Sequence, residues 1–428
     1  MAGEIRLRGR AAPVDAVVRV PGSKSVANRA LLCAALATDG VSRIGNVPGG
    51  DDCTAMLDAL RQAGCAGPDG AVTGGVFPGR AARFDAGIAG TTSRFLTAAA
   101  VLSADGIVID GGGPLRARPM ADLHDALRSL GAAVEPAGGP AGHLPVRVAR
   151  GEVRGGRVSV RGDVSSQFVS ALMLVAPRLP DGLVIEVTGD LVSRPYVEMT
   201  AAVMRDFGAA VDVDDSVIRV SGTPYRATSY EVEPDYSSAA FPLLAPAFAH
   251  GRVTVPGLAR ASMQGDSYVL EIARMMGLRV SVDGADVTVS RAGDSVLRPV
   301  QVDLRDASDL VPAVAVACTV LPGTSRLSGI GFIRSKESDR IGDLAHELNA
   351  AGALVEEEPD GLVIHGGRVP FRNDPYGTHH DHRLAMAFAL TAAGGAECLI
   401  SDPGVVAKSW PGYFSDMAGL LGPAETLN

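Results

Sequence analysis

At 428 residues, 46% of them hydrophobic and 4% aromatic, the chain is longer than one hydrophobic core supports, since single cores stop growing at roughly 250–300 residues. A net charge of −9 argues against nucleic acid as a partner. No apolar run approaches the ~20 residues of a membrane span, and the N-terminus has no apolar leader, so no membrane partner is expected. Cys33, Cys53, Cys65, Cys318 and Cys398 are scattered and form no C-x-x-C pair. That pattern points to reduced thiols in the cytoplasm rather than to structural zinc.

In chain order, residues 4–8 read as a strand, and Pro21-Gly22 makes a turn. Ser23 or Ser25 can then cap a helix whose run from Ala30 to Ala37 is apolar all round and therefore buried. Its first turn carries Lys24, Ser25 and Arg29. Such a start suits an anion, because free N–H groups and the macrodipole act together there. A capped core helix with a lysine reaching to solvent is the plainer alternative. The design recurs at 90–100, 165–175, 237–244, 309–317 and 381–390. With Ser25, Thr91, Ser165, Ser237, Asp309 and Asp381 as markers, the intervals are 66, 74, 72, 72 and 72 residues, which marks internal repeats.

A second, amphipathic helix type alternates with the first, at 54–64, 121–131, 200–208, 268–277, 341–352 and 413–422. Each ends in Gly, the usual residue just past a helix C-terminus, and strands follow several of them. The chain thus reads as α/β, with six βαβαββ units of roughly 70 residues. The sixth stops after its amphipathic helix and lacks a strand, which residues 4–8 can supply. Two domains of three repeats follow, 21–230 and 1–20 plus 231–428, joined by a double crossover that acts as a hinge for a closing cleft. Six helix starts converging there would attract anionic ligands without positive net charge.

Other polar clusters lie near these starts: Arg116 and Arg118, Ser193-Arg-Pro-Tyr196, and Arg334-Ser-Lys-Glu-Ser-Asp-Arg340. In the last, Lys336 and Arg340 are spaced to share a helix face. Only Lys24, Lys336 and Lys408 are lysines among 39 basic residues, which suggests sites that need a compact ammonium or a proton exchanger. His379-His-Asp-His382 looks like a metal cluster, but adjacent histidines usually diverge, so no metal is expected. Each cluster also has a plain surface reading, as a self-paired helix start or a capped turn.

These motifs resemble the 5-enolpyruvylshikimate-3-phosphate synthase (3-phosphoshikimate 1-carboxyvinyltransferase) family over essentially the whole chain. The resemblance rests on Pro21-Gly-Ser-Lys-Ser25 with Arg29, Ala89-Gly-Thr91, Arg118-Pro119, Gly162-Asp-Val-Ser-Ser-Gln167 and Ser193-Arg-Pro-Tyr196. It continues through Lys336-Glu-Ser-Asp-Arg340, Asp381-His-Arg383 and Ala407-Lys408. It implies the enolpyruvyl transferase fold, an inside-out α/β barrel of two similar domains. It also implies a transferase of the shikimate pathway, on the way to chorismate and the aromatic amino acids, working as a monomer with no metal or organic cofactor.

Carried over by position, shikimate 3-phosphate would be bound by Lys24, Ser25, Arg29, Ser165, Ser166, Gln167, Ser193, Tyr196, Asp309 and Lys336. Phosphoenolpyruvate would be bound by Lys24, Gly90, Thr91, Arg118, Gln167, Arg340, Arg383 and Lys408. Asp309, Glu337, Lys24 and Lys336 would carry the catalysis, with Asp309 or Lys336 as base and Glu337 as acid. Two positions depart from the family pattern: Ile88 and Phe332 stand where Asn is common. Three alternatives stay open. One is a transferase with a different acceptor. Another is the sister enzyme for UDP-N-acetylglucosamine, whose loop cysteine is missing from residues 111–120. The last is a non-catalytic anion-binding module, which would not need Asp309 and Glu337.

Overall fold

A computed structural model describes residues 3–10, 13–67, 70–79, 82–259 and 262–427. The chain divides into two compact units, Gly22–Val232 and Met1–Pro21 with Glu233–Asn428.

In the Gly22–Val232 unit the buried helices are Lys24–Leu36, Gly90–Ala99 and Ser166–Val175, and they pack on one another. Nearly all of their side chains are buried, the apolar ones together with Asn28, Thr92, Ser93, Thr97 and Ser170, so these helices are enclosed rather than one-sided. The helices Asp51–Gln62, Ala121–Ser129 and Arg194–Asp206 are amphipathic. In Ala121–Ser129 the residues Leu123, His124, Ala126 and Leu127 face inward, the i, i+3, i+4 pattern of a one-sided helix.

The sheets share one order. Arg83–Asp85 runs parallel to Ile107–Asp110, which pairs antiparallel with Val146–Ala149, and that strand antiparallel with Ala133–Pro136. Gly156–Arg161, Leu183–Thr188, Val217–Val220 and Val211–Val213 repeat this order. In the first repeat Ser229–Glu231 takes the parallel place beside Val41–Gly45, followed by Ala71–Thr73 and a bridge from Val72 to Ala66. The end of the unit therefore completes its beginning.

The other unit holds the buried helices Tyr236–Leu244, Val311–Cys318 and His382–Ala389. Two of its sheets run Val14–Val17, Gly251–Val255, Asp286–Arg291, Arg279–Asp283 and Gln301–Asp303, Gly323–Ser328, Gly361–Gly366, Leu354–Glu358. The sixth repeat keeps the order in reduced form. Tyr376 bridges Ile400 in parallel, and Cys398–Ser401, Glu4–Leu7 and Ala424–Leu427 follow.

The N-terminal strand thus joins the sixth repeat, but two details differ from the sequence reading. The chain end, Ala424–Leu427, supplies the outer strand itself, and Val14–Val17 is a second N-terminal strand that the sequence reading left unassigned. The six glycines that close the amphipathic segments, Gly64, Gly131, Gly208, Gly277, Gly352 and Gly422, all have positive φ. That conformation admits Gly at little cost and recurs in register with the repeats. The segment at 413–422 is not one helix: it breaks into Tyr413–Asp416 and Ala418–Leu421, with Gly419 weakening the second piece.

Candidate active site

In the Gly22–Val232 unit the expected residues gather at the starts of the buried helices. Lys24 and Ser25 open the first helix, behind Ser23 as the N-terminal flanking residue. The Ser23 side chain makes no cap bond, and its hydroxyl is buried without a hydrogen-bond partner among the described residues. Lys24 Nζ donates to Asp52 Oδ2 at 2.7 Å, and Thr92 Oγ1 donates to the Asp52 carbonyl at 2.9 Å. Gly90 opens the second helix. A Cβ there would lie 2.7 Å from Arg118 and 3.0 Å from Arg94, so two guanidinium groups lie across a position only Gly leaves open. Gln167 Nε2 donates to Thr91 Oγ1 at 3.4 Å, tying the second helix start to the third. Ser165 caps that third helix by accepting from the Gln167 N–H at 3.3 Å, with buried Ser166 beside it.

Arg29 is buried, not open. Its guanidinium donates to Thr200 Oγ1 at 2.7 Å, the Ser25 carbonyl at 2.7 Å, the Tyr196 carbonyl at 3.2 Å and Ser170 Oγ at 3.3 Å. It also lies 5.2 Å from the Phe95 ring centroid and 5.9 Å from that of Tyr196. Burial pulls its pKa down to about 10. Ser193 occupies the N-terminal flanking position of Arg194–Asp206 with φ 54°, a left-handed conformation, and makes no side-chain cap bond.

The other unit holds a denser network around Asp309, in the turn Ser308–Leu310 that leads into Val311–Cys318. Asp309 Oδ1 accepts from Lys336 Nζ at 3.0 Å and from Arg340 at 2.9 Å, and Oδ2 accepts from Arg383 at 2.8 Å. Lys336 Nζ also donates to Ser308 Oγ at 3.0 Å and lies 5.7 Å from the Phe332 ring centroid. Arg340 bonds Asp381 Oδ2 at 2.6 Å and Glu337 Oε2 at 3.1 Å, and Lys408 Nζ stands 3.7 Å from Glu337 Oε1. Asp381 caps the helix His382–Ala389 by accepting from the Arg383 N–H at 2.8 Å.

The charges set one another. Burial lowers the Lys336 pKa against the pull of Asp309. Burial opposes the charge on Arg340, but Asp381, Glu337 and Asp309 outweigh it and raise the pKa. Arg340 is 1% exposed, so this is a desolvated ion network and not a surface one.

One expectation fails locally. Lys336 and Arg340 do not share a helix face. Residues 331–335 form a short 3-10 turn, 336–341 are irregular, and the helix begins at Gly342. Asp339 sets that start: its Oδ1 accepts from the N–H groups of Ile341 and Gly342 at 3.1 and 3.0 Å. Lys336 and Arg340 meet at Asp309 instead. The histidines of 379–382 face separate carboxylates: His379 faces Glu347 at 2.9 Å, His380 faces Asp402 at 3.3 Å, and His382 faces Asp381 at 3.5 Å.

Sequence reasoning missed Asp52 and Arg94, and it used Asp381 as a repeat marker and motif residue without giving it a role in the site. Asp52 had a readable signal, an acidic pair after Gly49-Gly50 where a helix starts.

A family model described as EPSP synthase (3-phosphoshikimate 1-carboxyvinyltransferase) matches residues 9–417. A 3-phosphoshikimate 1-carboxyvinyltransferase of Methanothermobacter thermautotrophicus is 40% identical over 405 residues, 94% of each chain. That of Cupriavidus necator is 39% identical over 425 residues, 95% of this chain and 97% of the relative. Among solved structures, EPSP synthase from Acinetobacter baumannii superposes over 100% of both chains with TM-score 0.82 and 25% identity. The enolpyruvyl transferase NikO from Streptomyces tendae shares the fold, with TM-score 0.75 and 18% identity over 100% of this chain and 99% of its own. With six repeats in one order, ionic groups at the helix starts and likeness along nearly its whole length, the chain belongs to the EPSP synthase (3-phosphoshikimate 1-carboxyvinyltransferase) family.

Proposed function

We propose that the protein transfers the enolpyruvyl group of phosphoenolpyruvate to the 5-hydroxyl of shikimate 3-phosphate and releases phosphate. The observation that carries this reading is Asp309 held by Lys336, Arg340 and Arg383, with Glu337 between Arg340 and Lys408. Two carboxylates among four cations combine proton transfer with anion binding, which addition–elimination on a phosphorylated enol requires.

In the addition step the 5-hydroxyl oxygen bonds to C2 of phosphoenolpyruvate and its proton passes to Asp309 or Lys336. Glu337 gives a proton to C3, and a tetrahedral adduct with a C3 methyl results. In the elimination step the methyl returns a proton to Glu337, the bond from C2 to the phosphate oxygen breaks, and phosphate leaves with the proton that Asp309 or Lys336 had taken. The lowered pKa of Lys336 supports its candidacy as base. Arg118, Arg340 and Arg383 offer forks to carboxylate and phosphate, and Lys24 and Lys408 offer compact charges. Gly90 and Thr91 contribute the helix start beside them. For shikimate 3-phosphate this reading assigns Lys24, Ser25, Ser165, Ser166, Gln167, Ser193 and Tyr196 on the Gly22–Val232 unit, and Asp309 and Lys336 among the residues of the other unit. Arg29 works one layer back, since its donors already hold Ser25 and Tyr196.

The same reading has the protein working as a monomer, on phosphorylated substrates that suit the cytoplasm. Among the described residues no helix is long and apolar enough to cross a membrane. An altered acceptor is the second reading, favoured by the Phe332 ring near Lys336 where the family commonly has Asn. Phosphate release with each substrate omitted in turn tests both readings. Release only when both are present supports the proposal. Release that persists with another hydroxyl acceptor but not with shikimate 3-phosphate favours the second reading.

A further inference from the structure

The turn from Thr378 to Asp381 closes with a hydrogen bond from the Asp381 N–H to the Thr378 carbonyl at 2.8 Å. Its central residues, His379 and His380, both have positive φ, 49° and 58°. Two left-handed residues in succession usually call for Gly or Asn, and other side chains persist there when their surroundings hold them. The two rings are held differently. That of His380 is exposed and meets Asp402 at 3.3 Å, whereas that of His379 is turned toward the helix Gly342–Ala350.

His379 Nε2 lies 2.9 Å from Glu347 Oε1, and Nδ1 lies 3.4 Å from Asp343 Oδ1. Asp343 and Glu347 are one turn apart on that helix and so present a pair of carboxylates to one ring. His346, on the same helix, packs edge-on with 6.5 Å between ring centroids. Glu347 is buried, and its Oε2 accepts from Arg372 at 2.8 Å and from the Gly377 N–H at 3.0 Å. A buried carboxylate keeps such partners, because leaving it unpaired is costly. Gly377 gives the contact its room: a Cβ there would lie 2.7 Å from Glu347 Oε1 and 3.2 Å from His379 Nε2.

Both segments joined by this contact run straight into the ion network. Arg340 stands just before the helix Gly342–Ala350, and Asp381 closes the turn. Arg340 Nε donates to Asp381 Oδ2 at 2.6 Å, and Asp381 Oδ1 accepts from the Arg383 N–H at 2.8 Å. We infer that His379 is a positioning residue. By tying the turn to Glu347 and Asp343 it fixes where Asp381 stands, and through Asp381 it fixes where Arg340 and Arg383 present their guanidinium groups. A binding group is placed precisely when the residues behind it are themselves locked, and here the lock is one imidazole between a strained turn and a helix. The link to phosphoenolpyruvate rests on the proposed function, which gives Arg340 and Arg383 to that substrate; the tie between turn and helix does not.

Two variants of the full-length protein test it. His379→Gly keeps the left-handed backbone at little cost and removes the ring. Gly377→Ala, at a position without positive φ, pushes Glu347 Oε1 away from the ring and leaves His379 in place. Hydrogen exchange read by mass spectrometry should show residues 376–383 exchanging about tenfold faster in each variant, with Val311–Cys318 exchanging as in wild type. KM for phosphoenolpyruvate should rise about tenfold while KM for shikimate 3-phosphate stays within about twofold, because a displaced binding group weakens the ligand it holds. The double variant should fall within about twofold of the poorer single one, since both changes act on one contact. Wild-type exchange in His379→Gly, or a wild-type KM for phosphoenolpyruvate, would overturn the inference. So would equal rises in both KM values, or single effects that multiply in the double variant. If His379→Gly does not fold, Gly377→Ala decides by the same readouts; loss of folding in both would count against a positioning role. Wild type without phosphate release would instead count against the proposed function, with the exchange result still deciding the tie.

Discussion

In the Gly22–Val232 unit the buried helices begin at Ser23, Ala89 and Ser165; in the other unit they begin at Asp235, Asp309 and Asp381. Hydroxyl and backbone N–H starts leave the positive end of each helix free for an outside anion. Starts that carry their own carboxylates must be balanced from within, and around Asp309 and Asp381 that balance comes from Lys336, Arg340 and Arg383. The first arrangement recognises; the second can also move protons, because its carboxylates are held in shape by cations that stay when a proton comes or goes. The same repeat, changed at one position, supplies both kinds of surface.

Substitutions that exchange the character of one unit for the other should break this division. Among substitutions at the helix starts, the larger effect is expected for Lys24→Arg. Nζ lies 2.7 Å from Asp52, and a wider, planar guanidinium on a longer stem would carry its charge to a different place. Steady-state assays should show kcat/KM down about 100-fold, since an Arg is not a conservative replacement for a point charge. Full activity would show that charge alone is required. Gly90→Ala should be milder. The new methyl displaces the flexible ends of Arg118 and Arg94 and leaves the backbone alone. KM for phosphoenolpyruvate should rise about tenfold, a loss near one charge-assisted hydrogen bond, with kcat changed less. An unchanged KM would remove Arg118 from that contact.

The smallest functional effect is expected at His124, which lies away from the helix starts. It is buried, neither ring nitrogen has a hydrogen-bond partner among the described residues, and burial pushes its pKa down to about 4. The unfolded chain therefore binds a proton between pH 6.5 and about 4 that the folded chain refuses, and stability falls as pH drops through that window. Between pH 7 and 5 this should amount to about 2 kcal/mol, read as a lower urea midpoint. His124→Met should flatten that dependence and leave activity at pH 7 unchanged. A wild-type-like pH dependence in the variant would assign the loss to another group.

Much of this contrast can be read in the sequence, because it recurs. The marker residues fall at nearly equal intervals, and the closing glycines mark the opposite ends of the alternate helices. What resisted reading was single-copy. Lys336 and Arg340 imitate a helix face, but the Asp339 carboxylate caps the helix that follows and leaves the pair in an irregular loop. Val14–Val17 is a short strand whose partner, Gly251–Val255, lies more than 200 residues away, so no local pattern announces the pairing. Asp52 stands at the start of an amphipathic helix, and its role arises from Lys24, a neighbour that only the fold supplies.

The division of labour is tested most directly on Glu337→Gln, by titration calorimetry of shikimate 3-phosphate and by phosphate release on the same sample. Shikimate 3-phosphate should bind within a few-fold of wild type while turnover falls about 10²–10⁴-fold, the usual worth of a positioned proton donor. Binding lost together with turnover, or turnover kept, would contradict it.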